Sequence, residues 1–240
     1  MFNLEQKKKT GYVKKKIVVL SGAGISAESG LSTFRDSGGL WEKYDLNDVA
    51  TIDAWHRNPA LVLSFYNERR DQVKNAKPNN AHFALAQLET MFDVTIVTQN
   101  IDDLHERSGS SDVLHLHGQI FKGRSVESDK NLHSINGDIS IGDLAEDGNQ
   151  MRPHIVWFGE EVPKMIEAEQ IIKTSDILII VGTSLNVYPA AGLRFACPIE
   201  SEKFLVDPNA FHIKDQVFTH YQGTATEKIP ELVDDLIKRT

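Results

Sequence analysis

Cysteine is nearly missing from this 240-residue chain: Cys197 is the only one. A lone thiol cannot form an internal disulfide or build a cysteine-ligated zinc site, so no metal is expected and a reducing compartment, the cytoplasm, fits the composition. Apolar runs of membrane-spanning length are absent, and no secretory hydrophobic segment is read at the N-terminus, so no membrane partner is expected. Positive charge is also in deficit. Lys and Arg number 26 against 34 Asp and Glu, a net charge of -8, which argues against nucleic-acid binding by bulk electrostatics. The local basic clusters Lys7–Lys9 and Lys14–Lys16 read as a solvated terminus. Internal repeats and low-complexity tracts are not found.

What remains is ordinary globular composition, 40% hydrophobic and 25% charged, at a length suited to one α/β domain with a small insertion. The chain is organised around residues 16–36. An apolar run, Ile17 to Leu20, reads as a buried parallel strand and leads at once into Gly22-Ala23-Gly24 and a helix start. Small residues let a backbone come close to an anion, and the unpaired N–H groups of a helix start point at it. The dinucleotide fingerprint wants a third glycine three residues on, where Ala27 is the allowed variant. By itself the pattern fits a plain tight turn as well as a phosphate site. Phe34-Arg35-Asp36, an aromatic and a cation just past the turn, suits a loop closing over a cofactor.

Taken in order, residues 36–58 read as a long ordered loop with short helical pieces, carrying Trp41, Tyr44 and Trp55. Asn58-Pro59 starts a helix running to about Lys74, with Leu61, Phe65 and Tyr66 inward; another fits 80–91, with Ala84, Leu85 and Leu88 as its stripe. Strands are expected at 94–98, 113–118, 154–158, 176–181 and 203–206, and helices at 163–174 and 229–238. Residues 122–150 turn polar and read as a small module with little core of its own. Strands alternating with helices indicate a Rossmann-like, doubly wound parallel sheet. The expected division is a core of about 16–36, 76–121 and 151–240, and a small module of about 37–75 and 122–150.

Several side chains at the strand ends could carry chemistry. Gln99-Asn100-Ile101-Asp102 follows the 94–98 strand, where open α/β sheets bind ligands. Asn100 and Asp102 suit a carboxamide, though an Asx-turn or a helix N-cap would equally explain Asp102. His117, between an apolar strand and Gly118, can accept a proton near neutral pH. His115 and His117 alternate, so at most one should reach the cleft, the other bonding within the core.

Together these segments resemble the sirtuin family of NAD-dependent protein-lysine deacylases. The resemblance rests on Gly22-Ala-Gly-Ile-Ser26, Phe34-Arg35-Asp36, Gln99-Asn-Ile-Asp102, His117-Gly118, Arg152-Pro-His-Ile-Val-Trp-Phe-Gly-Glu160 and Gly182-Thr-Ser184, in family order from residue 16 onward. It implies an enzyme, a transferase of acyl groups, with NAD as cofactor and acyl-lysine proteins as partners. Gly22, Ala23, Gly24 and Ser184 would hold the NAD phosphates, with Thr183 beside them, Phe34 and Arg35 from the cofactor loop and Asp207 near the adenosine ribose; Ser26, Gly182 and Ala225 would also be cofactor-binding. Gln99 would meet the ribose, Asn100 and Asp102 the nicotinamide carboxamide, and Ile101 between them would also be cofactor-binding. His117 would be the general base, with Asn100 beside it in the reaction. Ile155, Val156, Phe158 and Gly159 would line the substrate tunnel and pair with the substrate backbone as an added strand. In this family the acyl-lysine oxygen attacks the nicotinamide ribose, and the acyl group leaves on ADP-ribose. Mono-ADP-ribosyl transfer and a silent NAD-binding module are the alternatives, the latter disfavoured by a base beside the ribose.

There are three departures from the family pattern. The usual four cysteines of the small module are absent, Ser32 replaces a common proline, and Asp207 stands about where an asparagine is usual. Phe65-Tyr66-Asn67-Glu68-Arg69-Arg70 resembles the subgroup that removes succinyl and malonyl groups. Tyr66 and Arg69, three apart, share a helix face and would bind the distal carboxylate. A core tyrosine and a solvated arginine are the plain alternative.

Overall fold

The computed structural model describes residues 14–31, 44–208 and 217–239. The first strand, β1 (Lys16–Ser21), sits at the centre of a six-stranded sheet with β2 (Asp93–Thr98), β3 (Val113–His115), β7 (Ile177–Val181), β8 (Glu202–Val206) and β9 (Thr219–Tyr221). The order is β3-β2-β1-β7-β8-β9 and every pairing is parallel. Chain order therefore reverses between β1 and β7, which makes their carboxyl ends a topological switch point.

Period-two burial divides this sheet between two cores. Ile17, Val19, Ile96, Ile177, Ile179 and Val181 face one side, covered by α5 (Asn80–Leu88) and α8 (Ala225–Lys238). Val18, Leu20, Val97, Leu178 and Ile180 face the other, covered by α7 (Met165–Ile172) and a 3₁₀ helix, Ala190–Ala196. Because both faces are covered, the strands read as continuous apolar runs.

A third core belongs to a smaller unit. There α2 (Leu46–Val49), α3 (Ile52–Arg57) and α4 (Pro59–Asn75) pack on an antiparallel sheet of order β5-β4-β6, made of β4 (Gly118–Ser125), β5 (His133–Ser134) and β6 (Met151–Ile155). This sheet takes in residues 118–121 and 151–155, which the sequence reading assigns to the core. Ile120, Ile135 and Ile139 drive it onto α4, so the module has more core than its composition promises.

Side-chain amides and one guanidinium pin the cysteine-free module. Asn67 of α4 pairs with both backbone groups of Ile139, donating at 3.0 Å and accepting at 3.0 Å. Arg70 donates to the carbonyls of Ile120 and Gly137 and to Asn67 Oδ1. Gln150 accepts from Gly142 N–H and donates to the carbonyls of Ser140, Asp143 and Met151. Among the described residues no cluster of three or more His, Cys, Asp or Glu could hold a metal ion.

Several element ends differ from expectation for local reasons. Helix α5 stops at Leu88, three residues early, as the N–H groups of Glu89, Thr90 and Met91 turn to the carbonyls three residues back, Ala86, Gln87 and Leu88. The last helix begins at Ala225 rather than residue 229, because Thr224 and Glu227 form a capping box that outweighs Pro230. Strand β3 ends at His115, leaving His117 in the turn before β4. The pieces β5, β9 and α6 (Leu104–Ser108) are too short to show a period.

Candidate active site

At the switch point two small-residue turns touch. Gly22 N–H donates to Val181 O, Gly24 N–H to Gly182 O at 2.8 Å, and Gly182 N–H to Val206 O. A Cβ on Gly24 would stand 2.7 Å from Gly182 Cα, and one on Gly22 2.7 Å from Thr183 Cβ. Gly182 itself has φ +63°, the region that favours glycine. Only side-chain-free backbone fits, and it leaves a bare cradle at the carboxyl ends of β1 and β7 of the kind a dinucleotide diphosphate needs, so the residues present fit NAD. Ala23 caps the short helix α1 (Gly24–Ala27), and Ser184 follows the second turn. Thr183 Oγ1 accepts from Leu185 N–H and from Gln99 Nε2 at 3.3 Å, joining the second turn to the loop after β2.

That loop, residues 99–103, carries the polar centre. Asn100 Nδ2 donates to Gly22 O and to Ser26 Oγ, each at 3.2 Å, and Ser26 Oγ donates to Asp102 Oδ2 at 3.1 Å. Ser26 thus ties the amide and the carboxyl to the glycine turn. Asp102 Oδ1 also accepts from Leu104 N–H, so the Asx-turn reading holds beside any ligand role, while the N-cap of α6 is Asp103. Burial pushes the Asp102 carboxyl up, against the pull of these hydrogen bonds and of the Arg69 and His115 charges. Ile101 O accepts from Ile120 N–H, fixing the loop to the small sheet.

His117 and His115 hold consecutive carbonyls of this loop. His117 Nδ1 lies 3.0 Å from Gln99 O and His115 Nδ1 2.9 Å from Asn100 O. A carbonyl only accepts, so each Nδ1 carries the proton. His117 is therefore left with Nε2 as its basic atom, and burial lowers its pKa, outweighing the Gln99 bond. A neutral ring ready to take a proton is what a general base needs. His115 turns its Nε2 onto Glu106 Oε1 at 2.7 Å instead. The expectation that one histidine serves the core holds, but both rings serve one loop.

The remaining wall is aromatic. Tyr66 is 4% exposed and packs against Phe65 and Trp157, whose ring stacks on Trp55 at 5.3 Å. Arg69, one turn on, is half-buried, donates to Gln72 Oε1, and its charge is felt by both Tyr66 and Asp102. Arg152 makes a two-pronged pair with Glu160 at 2.7 and 3.0 Å and lies 3.3 Å over Trp157. Glu160 also accepts from Trp157 N–H, which sets the turn after β6.

Placement differs among the expected substrate residues. Ile155 is 4% exposed and faces the module core, whereas Val156 is half-buried and Phe158 is 48% exposed; Gly159 turns with φ +92°. The backbone N–H groups of 156, 157 and 158 already donate to His117 O, Glu160 Oε2 and Ala50 O. An added substrate strand finds no donor at those three positions in this conformation. Asp207 follows β8 at the cradle edge, and Ala225 opens α8, where Thr226 N–H reaches Glu28 beyond α1. Phe34, Arg35 and Ser32 lie outside the described residues. Sequence reasoning missed Glu106, Thr98 and Ser21. The last two are polar ends of apolar strands in register, Ser21 Oγ donating to Thr98 Oγ1, which accepts Asn100 N–H, and that break in an apolar run was the available signal.

A sequence profile described as Sir2 family matches residues 22–189. The chain belongs to the Sir2 family. It is 49% identical over 231 residues to an NAD-dependent protein deacylase of Bacteroides thetaiotaomicron, covering 93% of this chain and 98% of that relative. With an NAD-dependent protein deacylase of Helicobacter pylori it shares 54% identity over 196 residues, 82% of this chain and 84% of the relative. Among solved structures, a Sir2 homolog–NAD complex superposes with TM-score 0.82 at 36% identity, covering 94% of this chain and 91% of that one. A Sir2 variant holding a deacetylated p53 peptide and 3'-O-acetyl ADP-ribose gives 0.74 at 30% identity, covering 94% of each. The parallel sheet and the cradle at its switch point are thus the Sir2 Rossmann-like fold.

Proposed function

We propose that this chain is an NAD-dependent protein-lysine deacylase whose substrates include lysines carrying acidic acyl groups, succinyl and malonyl. Deacylation is supported by the relatives above together with one arrangement, a neutral histidine beside an amide–hydroxyl–carboxyl cluster and a bare glycine cradle. NAD, when bound, supplies an electrophilic ribose carbon and an acceptor for the acyl group. Gly22, Gly24, Gly182, Thr183 and Ser184 hold its phosphates, and Asn100 and Asp102 orient the carboxamide. Asp102 already accepts from Ser26 Oγ and Leu104 N–H, and its remaining lone pairs suit the N–H groups of an amide partner. His117 Nε2 takes a proton from a ribose hydroxyl while Nδ1–H, fixed on Gln99 O, holds the ring in the required tautomer. Trp157 and Tyr66, both buried, exclude water beside it.

Acidic-acyl removal is supported by Arg69. Its guanidinium is desolvated enough to lower its pKa, and its field reaches Tyr66 and Asp102, between the acyl-side helix and the nicotinamide loop. A carboxylate there would gain a charge-assisted hydrogen bond worth about 1.5–3 kcal/mol. The test is a comparison of kcat/KM on matched succinyl- and acetyl-lysine peptides with Arg69→Met. Succinyl turnover should fall at least tenfold more than acetyl turnover, given about 1.4 kcal/mol per decade. Equal losses on both peptides would assign Arg69 to the fold.

A further inference from the structure

His115 and Glu106 are not absorbed by the reaction as described, yet they are built into its floor. His115 is 9% exposed and adjoins β2 at the end of β3, while Glu106 comes from α6 on the far side of the loop 99–103. The ring bridges them, with Nδ1 2.9 Å from Asn100 O and Nε2 2.7 Å from Glu106 Oε1. Both partners are acceptors, so the bridge is complete only when both ring nitrogens carry protons. We propose that His115, held as an imidazolium by Glu106, is a positioning residue that fixes Asn100 and so forms the nicotinamide-carboxamide site. The proposal rests on the reading that Asn100 and Asp102 take the carboxamide.

The surroundings support a charged ring. Burial works against it, but the Glu106 hydrogen bond and charge, with Asn100 O and the Asp102 charge, lift its pKa above the ordinary value. Glu106 is correspondingly lowered, burial being outweighed by His115. The other groups whose fields meet this ring are His105 of α6 and His154 of β6, both with lowered pKa and so neutral near pH 7. Losing the Nε2 proton at high pH leaves a neutral ring with one N–H for two acceptors. Either Asn100 O or Glu106 then loses its partner, and the amide of Asn100 loses its fixed aim at Gly22 O and Ser26 Oγ. Nicotinamide release and rebinding therefore weaken on the alkaline side independently of His117, whose own shift runs downward.

Three variants separate this from a structural role: His115→Leu, His115→Asn, which keeps an N–H near the Nδ1 position, and Glu106→Gln, which keeps a hydrogen bond and removes the charge. Each is assayed for nicotinamide product inhibition and NAD KM from about pH 6.5 to 9.5. His115→Leu should raise the nicotinamide inhibition constant about tenfold, the scale of one charge-assisted hydrogen bond, with His115→Asn recovering most of it. Glu106→Gln should move the alkaline loss of nicotinamide inhibition to lower pH while acyl-peptide KM stays near wild type. If His115→Leu fails to fold, Glu106→Gln decides the matter. Wild-type inhibition and an unmoved pH profile in Glu106→Gln overturn the proposal. Asn100→Ala is the control. If it too keeps wild-type nicotinamide inhibition, the carboxamide reading falls and this proposal with it. If it loses inhibition while the His115 and Glu106 variants do not, only the positioning role falls.

Discussion

Acid should weaken this fold well before its carboxylates titrate, and the cause is a pair of buried histidines under the glycine cradle. His82, the third residue of α5, is 0% exposed, and its Nδ1 faces Asn79 N–H at 3.3 Å to close a capping box. The same Nδ1 lies 3.1 Å from Asn79 Oδ1, and Nε2 has no hydrogen-bond partner among the described residues. The ring stands edge-on to that of His105, 5.0 Å between centroids, and His105 Nδ1 is likewise without a partner. Burial drives His82 from 6.5 down to about 4 and His105 well below 6.5. The unfolded chain therefore binds protons below pH 6.5 that the folded one refuses, so stability present above that pH is lost as pH falls toward 4. Each ring contributes a slope of about 1.4 kcal/mol per pH unit once its unfolded form is protonated. Between pH 6.5 and 5 the pair removes roughly 3 kcal/mol, a large part of the ~5–15 kcal/mol typical of a domain.

Urea unfolding followed by far-UV circular dichroism across that range measures the slope. His117 and His154, also lowered, add to it, and His115, raised, opposes it, so the informative quantity is the difference between variant and wild type. His82→Gln keeps an acceptor for the capping box and removes the titration. It should flatten the slope by about 1 kcal/mol per pH unit. An unchanged slope in a folded His82→Gln protein would refute the reasoning.

Other substitutions test the site and the module. His117→Ala should retain the fold and most NAD affinity while turnover drops about 10²–10⁴-fold; near wild-type turnover would move the base to another residue. Gly24→Ala forces a methyl into Gly182 and should raise NAD KM about tenfold or more, read by initial rates, with acyl-peptide KM little changed. Asn67→Ala removes both bonds to Ile139 and should cost about 2 kcal/mol in thermal unfolding, whereas a loss under about 0.5 would mean that the apolar contacts alone hold the module. A chelator wash should leave the melting temperature and activity unchanged, and elemental analysis finding stoichiometric zinc would overturn that expectation.

Much of this molecule is decided locally. Apolar runs such as Ile177–Val181 admit only a strand buried on both faces, and Gly22-Ala23-Gly24 and Gly182-Thr183-Ser184 can be read as turns because glycine alone tolerates such close backbone approach. The proline at the start of α4 and the asparagine before it declare that helix with no reference to the rest of the chain. The motif residues around them could thus be named in advance. What the chain could not announce is which distant pieces meet. The contact between the two glycine turns, 160 residues apart, exists because β1 and β7 pair at the switch of a sheet. The division of labour between His115 and His117 follows from a strand that ends one residue after Leu114 and from a glutamate on another helix. The module's hold on α4 depends on Asn67 and Arg70 finding bare carbonyls far along the chain. Those outcomes are long-range: backbone propensity and hydrophobic period act over a few residues, whereas hydrogen-bond partners and desolvation are assigned only when the layers close.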